Sequence, residues 1–300
     1  MTNSSSIAQP GPTEQVNPAT AELDLLPTLD QVRVMNDQDA QVAQAVRAAE
    51  ASIAATIDGV VARLRRGGRL LYVGAGTPGR LGILDASEVL PTFGSHQVVG
   101  IIAGGAAAIQ HSVEHAEDDA GQGVADLDDH GLSDRDAVVG IAASGRTPYV
   151  LGAVEHARSV GAFTAGVVCN PGARIAQAAE VGIEVLVGPE VITGSTRLKA
   201  GTAQKLVLNM ISTLAMVQLG KTYGNLMVDV QVTNAKLRSR AIRLVSMITE
   251  CDETTSAQTL HACGGSVKVA CVALLTDLSP DAAALRLVEH DGFLRAAVGR

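Results

Sequence analysis

Two carboxylates beside small-residue loops are the first candidates for chemistry. Glu88 closes the stretch Leu84-Asp85-Ala86-Ser87-Glu88, and Glu117 sits in an acid-rich run with Glu114, Asp118 and Asp119. A pair of carboxyl groups can supply a base that takes a proton from carbon and an acid that protonates a departing oxygen. Such a run of acids equally suits a solvated helix face, and the residues alone leave both readings open. Asp85 and Glu88, three apart, are expected to share one face of a helix.

The loop ahead of Glu88 carries Gly74, Gly76 and Gly79, which spell G-x-G-x-x-G. A dinucleotide site also needs an acid about 20 residues further on, at the tip of the second strand. The second strand here runs Val98-Val99-Gly100-Ile101-Ile102-Ala103-Gly104-Gly105 and offers none. NAD is therefore not the expected ligand. The loop reads better as an anion cradle, with Thr77 as N-cap and Pro78 at the first helical position. The same device recurs after the third strand, where Ser144, Gly145 and Arg146 precede Thr147 as N-cap and Pro148. Free backbone N–H groups and the helix dipole favour an anion at such places. One such loop is what any tight turn prefers, but two in one sheet favour a phosphate. A third cluster, residues 188–205, sets Ser195 and Thr196 before a helix bearing Arg197, Lys199 and Lys205. Its hydroxyls and cations suit a sugar phosphate. The expected phosphate-site residues are thus Gly76, Thr77, Gly79, Arg80, Ser144, Gly145, Arg146, Thr147, Ser195, Thr196 and Lys199.

A metal reading is weighed and set aside. His111, Glu114 and His115 form H-x-x-E-H, the inverted zincin pattern, and a helix would put both histidines on one face. Nothing nearby announces a third ligand. The four cysteines form no C-x-x-C pair, so neither a zinc knuckle nor a disulfide framework is indicated.

These loops need a scaffold that presents them together. The chain has 300 residues, 47% of them hydrophobic and only 2% aromatic, with no Trp. A core of Ala, Val, Leu and Ile suits helices packed on a parallel sheet. It does not suit a platform for stacking bases. The net charge of −8 argues further against nucleic acid as a partner. The start has no basic stretch followed by an apolar run, so no secretory signal is expected. The most apolar long segment, residues 206–219, contains Asn209 and Gln218 and is too short to span a bilayer. A soluble, cytoplasmic protein is expected.

Residues 1–20 are rich in Ser, Pro, Gly and Gln and read as a flexible arm. Apolar residues at helical spacing from Thr28 to about Arg66 predict two helices, broken near Asn36-Asp37. Short apolar runs then alternate with helical segments, one of them from about Ala106 to Asp119. That alternation predicts a doubly wound parallel α/β sheet flanked by helices. A long helix from Ser195 or Leu198 to Gly220 follows, and the pattern is helical again from Val228 to Leu244. The tail predicts three short helices split at Gly264-Gly265 and Ser279-Pro280. The expected organisation is an arm at 1–20, an α/β domain at 21–245 and a small helical unit at 246–300.

Four long blocks carry a resemblance. They begin GAGTPGRLGILDASE, GIIAGGAAAIQHSVEHAEDDA, GIAASGRTPY and GPEVITGSTRLKAGTAQK, and run in that order. Together with TEQVNPATAELD near the start and HDGFLRAA near the end, they resemble the N-acetylmuramic acid 6-phosphate etherase family. The resemblance covers nearly the whole chain. It implies a sugar isomerase (SIS) domain, a cytoplasmic homodimer, a sugar-phosphate substrate, and neither metal nor cofactor. It implies cleavage of a C3 lactyl ether, with Glu88 as acid on the lactate oxygen and Glu117 as base at C2, or those roles exchanged. One departure is Pro78, where the family usually has Ser. It removes an N–H and a hydroxyl from the first loop. The rival expectation is a non-catalytic sugar-phosphate sensor, related to the glucokinase regulatory protein, which would not need both glutamates.

Overall fold

The computed structural model describes residues 11–232 and 234–299. The chain divides into two compact units. One comprises residues up to Ala86 with Gln97–Ile211, the other Ser87–His96 with Ser212–Arg300.

The first unit opens with three helices, α1 (Thr28–Asp39), α2 (Val42–Ala48) and α3 (Glu50–Arg65). Strand β1 (Leu70–Gly74) leads into α4 (Gly76–Phe93), and β2 (Val98–Ile102) follows. Next come α5 (Ala107–Gln110), α6 (Ala120–Asp129), β3 (Ala137–Ile141) and α7 (Pro148–Val160). Strand β4 (Phe163–Val168), α8 (Arg174–Ala178), β5 (Val181–Glu184) and α9 (Lys199–Gln218) complete the series. The five strands are parallel in the order β2-β1-β3-β4-β5. Every residue of β1, β3 and β4 is buried. Helices cover both faces, so these strands read as unbroken apolar runs and not as alternations. α3 buries Ile53, Ile57, Val60, Val61 and Leu64 against one face, where Gly59 meets the Phe163 ring, and α7 buries Val150, Leu151 and Val154 against the other, where Val150 and Val154 meet Gly140.

A buried charge fastens the N-terminal edge of the sheet. Asp136 is 2% exposed and lies just before β3. It accepts from the Arg69 backbone N–H at 2.8 Å, from Arg69 Nη2 at 3.0 Å and from the Ser133 N–H at 2.9 Å. Burial alone would push its pKa up. The hydrogen bonds to Arg69 and to the backbone outweigh that and hold the carboxyl below its ordinary value.

The second unit contains a two-stranded hairpin, β6 (Thr222–Tyr223) and β7 (Leu226–Met227). Five helices follow: α10 (Ala235–Thr249), α11 (Glu253–Ala262), α12 (Val267–Thr276), α13 (Pro280–Glu289) and α14 (Leu294–Ala297). They enclose a core of Leu244, Val245, Leu260, Cys271 and Leu287. Asn234, Asp252, Ser266 and Ser279 each cap a helix start through a side-chain oxygen.

Several expectations are corrected. Residues 1–10 lie outside the described residues, but 11–20 are not a flexible arm. Thr13 is fully buried and Asn17 nearly so, and Thr20 Oγ1 donates to the Val191 carbonyl at 2.8 Å. Tertiary partners far along the chain order a segment whose composition looks loose. The N-terminal stretch forms three helices instead of two, with breaks after Asp39 and Ala48. The helix expected over 106–119 stops at Gln110. The helical pattern from Val228 begins only at Ala235. The contact boundary falls inside α9, after Ile211, and not near 245. The breaks at Gly264-Gly265 and Ser279-Pro280 separate α11, α12 and α13 as expected, and α14 is an additional helix.

Candidate active site

The strand order fixes where a ligand can bind. β1 and β3 are neighbours, and the chain leaves their carboxyl ends toward opposite sides of the sheet. In such a sheet the crevice at this switch point is the usual ligand site. Gly74 pairs with Ile141, so the loops that follow β1 and β3 start side by side.

The first loop explains its glycines. A Cβ on Gly79 would stand 2.6 Å from the Gly74 carbonyl oxygen, so the start of α4 packs directly on the end of β1. Gly76 has φ +57°, and no atom lies within 4 Å of where its Cβ would be. The fingerprint thus serves a tight crossing with an open side. One detail is corrected: α4 already begins at Gly76, so Thr77 lies inside its first turn and does not cap it. Pro78 falls in that same turn, where its missing N–H would have no partner within the helix anyway.

The second loop holds Gly145 at φ +65°, with its carbonyl accepting the Ile175 N–H at 3.1 Å. A Cβ there would meet Ala173 Cβ at 2.3 Å. Ser144 Oγ accepts the Arg146 N–H at 3.3 Å; Thr147 takes the N-cap position of α7 ahead of Pro148 as expected, but its side chain makes no capping bond. Ser144 and Arg146 line a pocket of about 170 Å³ with Asn170, Gly172 and Arg174. Asn170 and Arg174 escaped the sequence reading, although Asn170-Pro171-Gly172 after an apolar run announces a turn at a strand end. Asn170 Nδ2 donates to Thr13 Oγ1 at 2.8 Å and to the Ala143 carbonyl at 3.1 Å, which straps the N-terminal segment beside this pocket.

The third cluster approaches the first loop. A Cβ on Gly201 would stand 3.5 Å from Thr77 Cγ2 and 3.6 Å from the Thr196 carbonyl. Ser195 and Thr196 are half-buried there. Lys199 is 2% exposed, and its Nζ donates to Gln38 Oε1 at 3.2 Å. Burial pushes its pKa down, while Glu190 and Asp39 pull it back up. Glu190, fully buried, accepts the N–H groups of Lys199 and Ala200 at 2.9 Å each and so caps α9. Neither Glu190 nor Gln38 was foreseen, because both partners lie far from the motif or inside an unremarkable turn.

The acids separate into different settings. Glu117 lies in a single turn of 3-10 helix, Ala116–Asp118, after His115 at φ +62°. It lines a cavity of about 380 Å³ with Gly76, Arg80, Ser112 and Glu114. Because 111–115 is not helical, His111 and His115 share no helix face. Among the described residues no cluster of three His, Cys, Asp or Glu could hold a metal ion. Arg80 is half-buried, and its Nε and Nη2 donate to the carbonyls of Ile109 and His111 at 3.0 Å each. Asp85 is 6% exposed and accepts Asn209 Nδ2 at 2.8 Å. Glu88, three residues later on α4, is exposed, and its carbonyl accepts Thr92 Oγ1 at 2.8 Å. The two acids expected on one helix face thus differ in burial. Glu88 also belongs to the second unit, while Glu117 belongs to the first.

Comparison with known proteins bears on this arrangement. Residues 52–158 match the model of the glucokinase regulatory protein N-terminal SIS domain, and residues 224–263 match the C-terminal lid domain of the same protein. The chain is 56% identical over 288 residues to an N-acetylmuramic acid 6-phosphate etherase of Klebsiella aerogenes, covering 95% of this chain and 96% of that protein. It is also 56% identical over 288 residues to the etherase of Streptomyces coelicolor, covering 95% and 93%. Among solved structures, a phosphoheptose isomerase from Francisella tularensis aligns with a TM-score of 0.50 at 19% identity. That alignment covers 64% of this chain and all of the isomerase, and it supports the fold alone.

Proposed function

We propose, for a chain that belongs to the N-acetylmuramic acid 6-phosphate etherase family, that Glu88 and Glu117 are the two carboxyl groups carrying the reaction. The reaction opens the C3 D-lactyl ether and yields N-acetylglucosamine 6-phosphate and D-lactate. It is the etherase reading, not the sensor, that relatives at 56% identity over nearly the whole chain support.

In the proposed mechanism Glu117 takes the C2 proton, which the aldehyde of the opened sugar acidifies. The electron pair left at C2 forms a C2–C3 double bond as the C3–O bond breaks. Glu88 gives its proton to the lactate oxygen. Water then adds across the double bond, its hydroxyl going to C3 and a proton returning to C2. Two carboxyl groups that exchange protons suffice for each step. The loops at Gly76–Gly79 and Ser144–Thr147, with Ser195 and Thr196, hold the phosphate and sugar. The observation that carries this reading is the cavity shared by Gly76, Arg80 and Glu117 on the switch-point side of the sheet.

Solvent exchange at C2 tests the roles. Glu117→Gln is expected to lose both deuterium exchange at C2 and lactate release, each by about 10²–10⁴-fold. Glu88→Gln is expected to lose lactate release while exchange continues. The reverse pattern would exchange the two roles, and full lactate release from both variants would refute the pair.

We further read the enzyme as a homodimer. Helix α1 contributes no buried residue, and Leu25, Leu29, Val32 and Met35 remain exposed around it. Light scattering on Leu29→Glu with Val32→Glu should report a monomer. Among the described residues no single helix is long and apolar enough to cross a membrane. With a phosphorylated sugar as substrate, a cytoplasmic location follows from this reading.

A further inference from the structure

The acid-bearing segment between α5 and α6 has little internal support. Residues 111–115 are all exposed, and none of them lies in a helix or strand. His115 adopts a positive φ, a region that few non-glycine residues occupy. The far end is anchored, because Asp119 caps α6 by accepting the Gln122 N–H at 2.9 Å. Midway, Val113 packs against Gly104, where a Cβ would meet Val113 Cβ at 2.9 Å. The near end is held by the His111 N–H, which donates to the Ala107 carbonyl at 3.0 Å, and by the side chain of Arg80.

Arg80 stands one turn after Gly76 on α4, on backbone pinned by the Gly74–Gly79 approach. Its guanidinium reaches out of the helix and spans two carbonyls, Ile109 and His111, where the segment leaves α5. Both bonds are charge-assisted. They use the divergent donors of a planar fork, which a lysine ammonium cannot reproduce from one point. A group committed in this way to two backbone oxygens differs from an open phosphate ligand.

We infer that Arg80 is a positioning residue, which fixes the Glu117 segment against the start of α4. Its role rests on the reading of Glu117 as the base, and it removes Arg80 from the phosphate ligands. The loop that cradles the anion and the segment that carries the acid are thereby held in one frame by a single side chain. A carboxylate displaced by about 1 Å from its reacting proton loses on the order of 10²-fold in rate.

The test uses Arg80→Lys and Arg80→Gln in the full chain, with two independent readouts. Digestion with a glutamate-specific protease, mapped by mass spectrometry, should cut after Glu114 and Glu117 at least about tenfold faster in both variants. Cleavage elsewhere and the circular-dichroism melting profile should be unchanged. In turnover, kcat should fall roughly 10²-fold in both variants with KM within about threefold. Lysine should not rescue. If Arg80→Gln does not fold, Arg80→Lys keeps the charge and the stem and is read in the same way. Unchanged proteolysis in a folded variant overturns the clamp. A raised KM with kcat preserved, restored by lysine, overturns it in favour of a phosphate ligand. If the unmutated chain releases no lactate, the functional reading fails, yet the proteolysis still decides the role of Arg80.

Discussion

Gly145→Ala and Gly76→Ala form a pair whose difference can be worked from the structure. Both glycines lie in the loops proposed to hold phosphate, at nearly equal positive φ, +65° and +57°. An alanine in that region costs roughly 1–2 kcal/mol. The reduced freedom of the unfolded chain gives back about 0.4–1 kcal/mol. That leaves about 1 kcal/mol for Gly76→Ala, because its Cβ meets nothing within 4 Å. At Gly145 the new methyl would lie 2.3 Å from Ala173 Cβ and 3.0 Å from Val168 Cγ1. Neither neighbour has a flexible end to withdraw, so backbone must move. Overpacking of this kind adds roughly 1–3 kcal/mol, for a total near 2–4 kcal/mol. Urea unfolding followed by circular dichroism, with the slope held common to both variants, measures the difference. The displaced loop also carries Ser144 and Thr147, so KM should rise in Gly145→Ala more than in Gly76→Ala. Equal midpoints for the two variants would refute the argument, because φ alone would then account for both.

Other outcomes follow from the same geometry. Ser144→Ala should raise KM roughly tenfold with kcat little changed, since one charge-assisted hydrogen bond is worth roughly 1.5–3 kcal/mol; equal turnover of the unphosphorylated sugar would show that the loops do not read phosphate. Asp136→Asn should cost a few kcal/mol of stability at pH 7, read as a lower urea midpoint, because Arg69 and buried backbone donors lose a charged acceptor. The folded pKa of Asp136 lies below its ordinary 3.8, so its contribution is present above that value and is lost as pH falls through the folded pKa. The gap between wild type and Asp136→Asn should therefore narrow below about pH 4, and a gap that widens in acid would contradict it.

Much of this protein was legible in one dimension. Strands buried on both faces leave unbroken runs such as Leu70–Gly74 and Ala137–Ile141, and their alternation with helical periods fixes a parallel doubly wound sheet. Glycines, hydroxyls and prolines at strand ends are local requirements of tight crossings, so the crossings after β1 and β3 showed directly. The cap of α13 was visible for the same reason, at Ser279 and Pro280. Tertiary structure decided the rest, because those outcomes depend on partners distant in sequence. Thr13 is ordered by Asn170, 157 residues away, despite its loose composition. Lys199 is turned inward to Gln38, 161 residues away, although its motif suggests an open cation. The segment 111–118 has helical periodicity but is drawn into a loop, and Arg80, 29 residues before Ile109, holds its entrance. Periodicity records which side chains favour burial. It does not record which distant donor claims a backbone carbonyl, and that competition sets the conformation of the segment carrying Glu117.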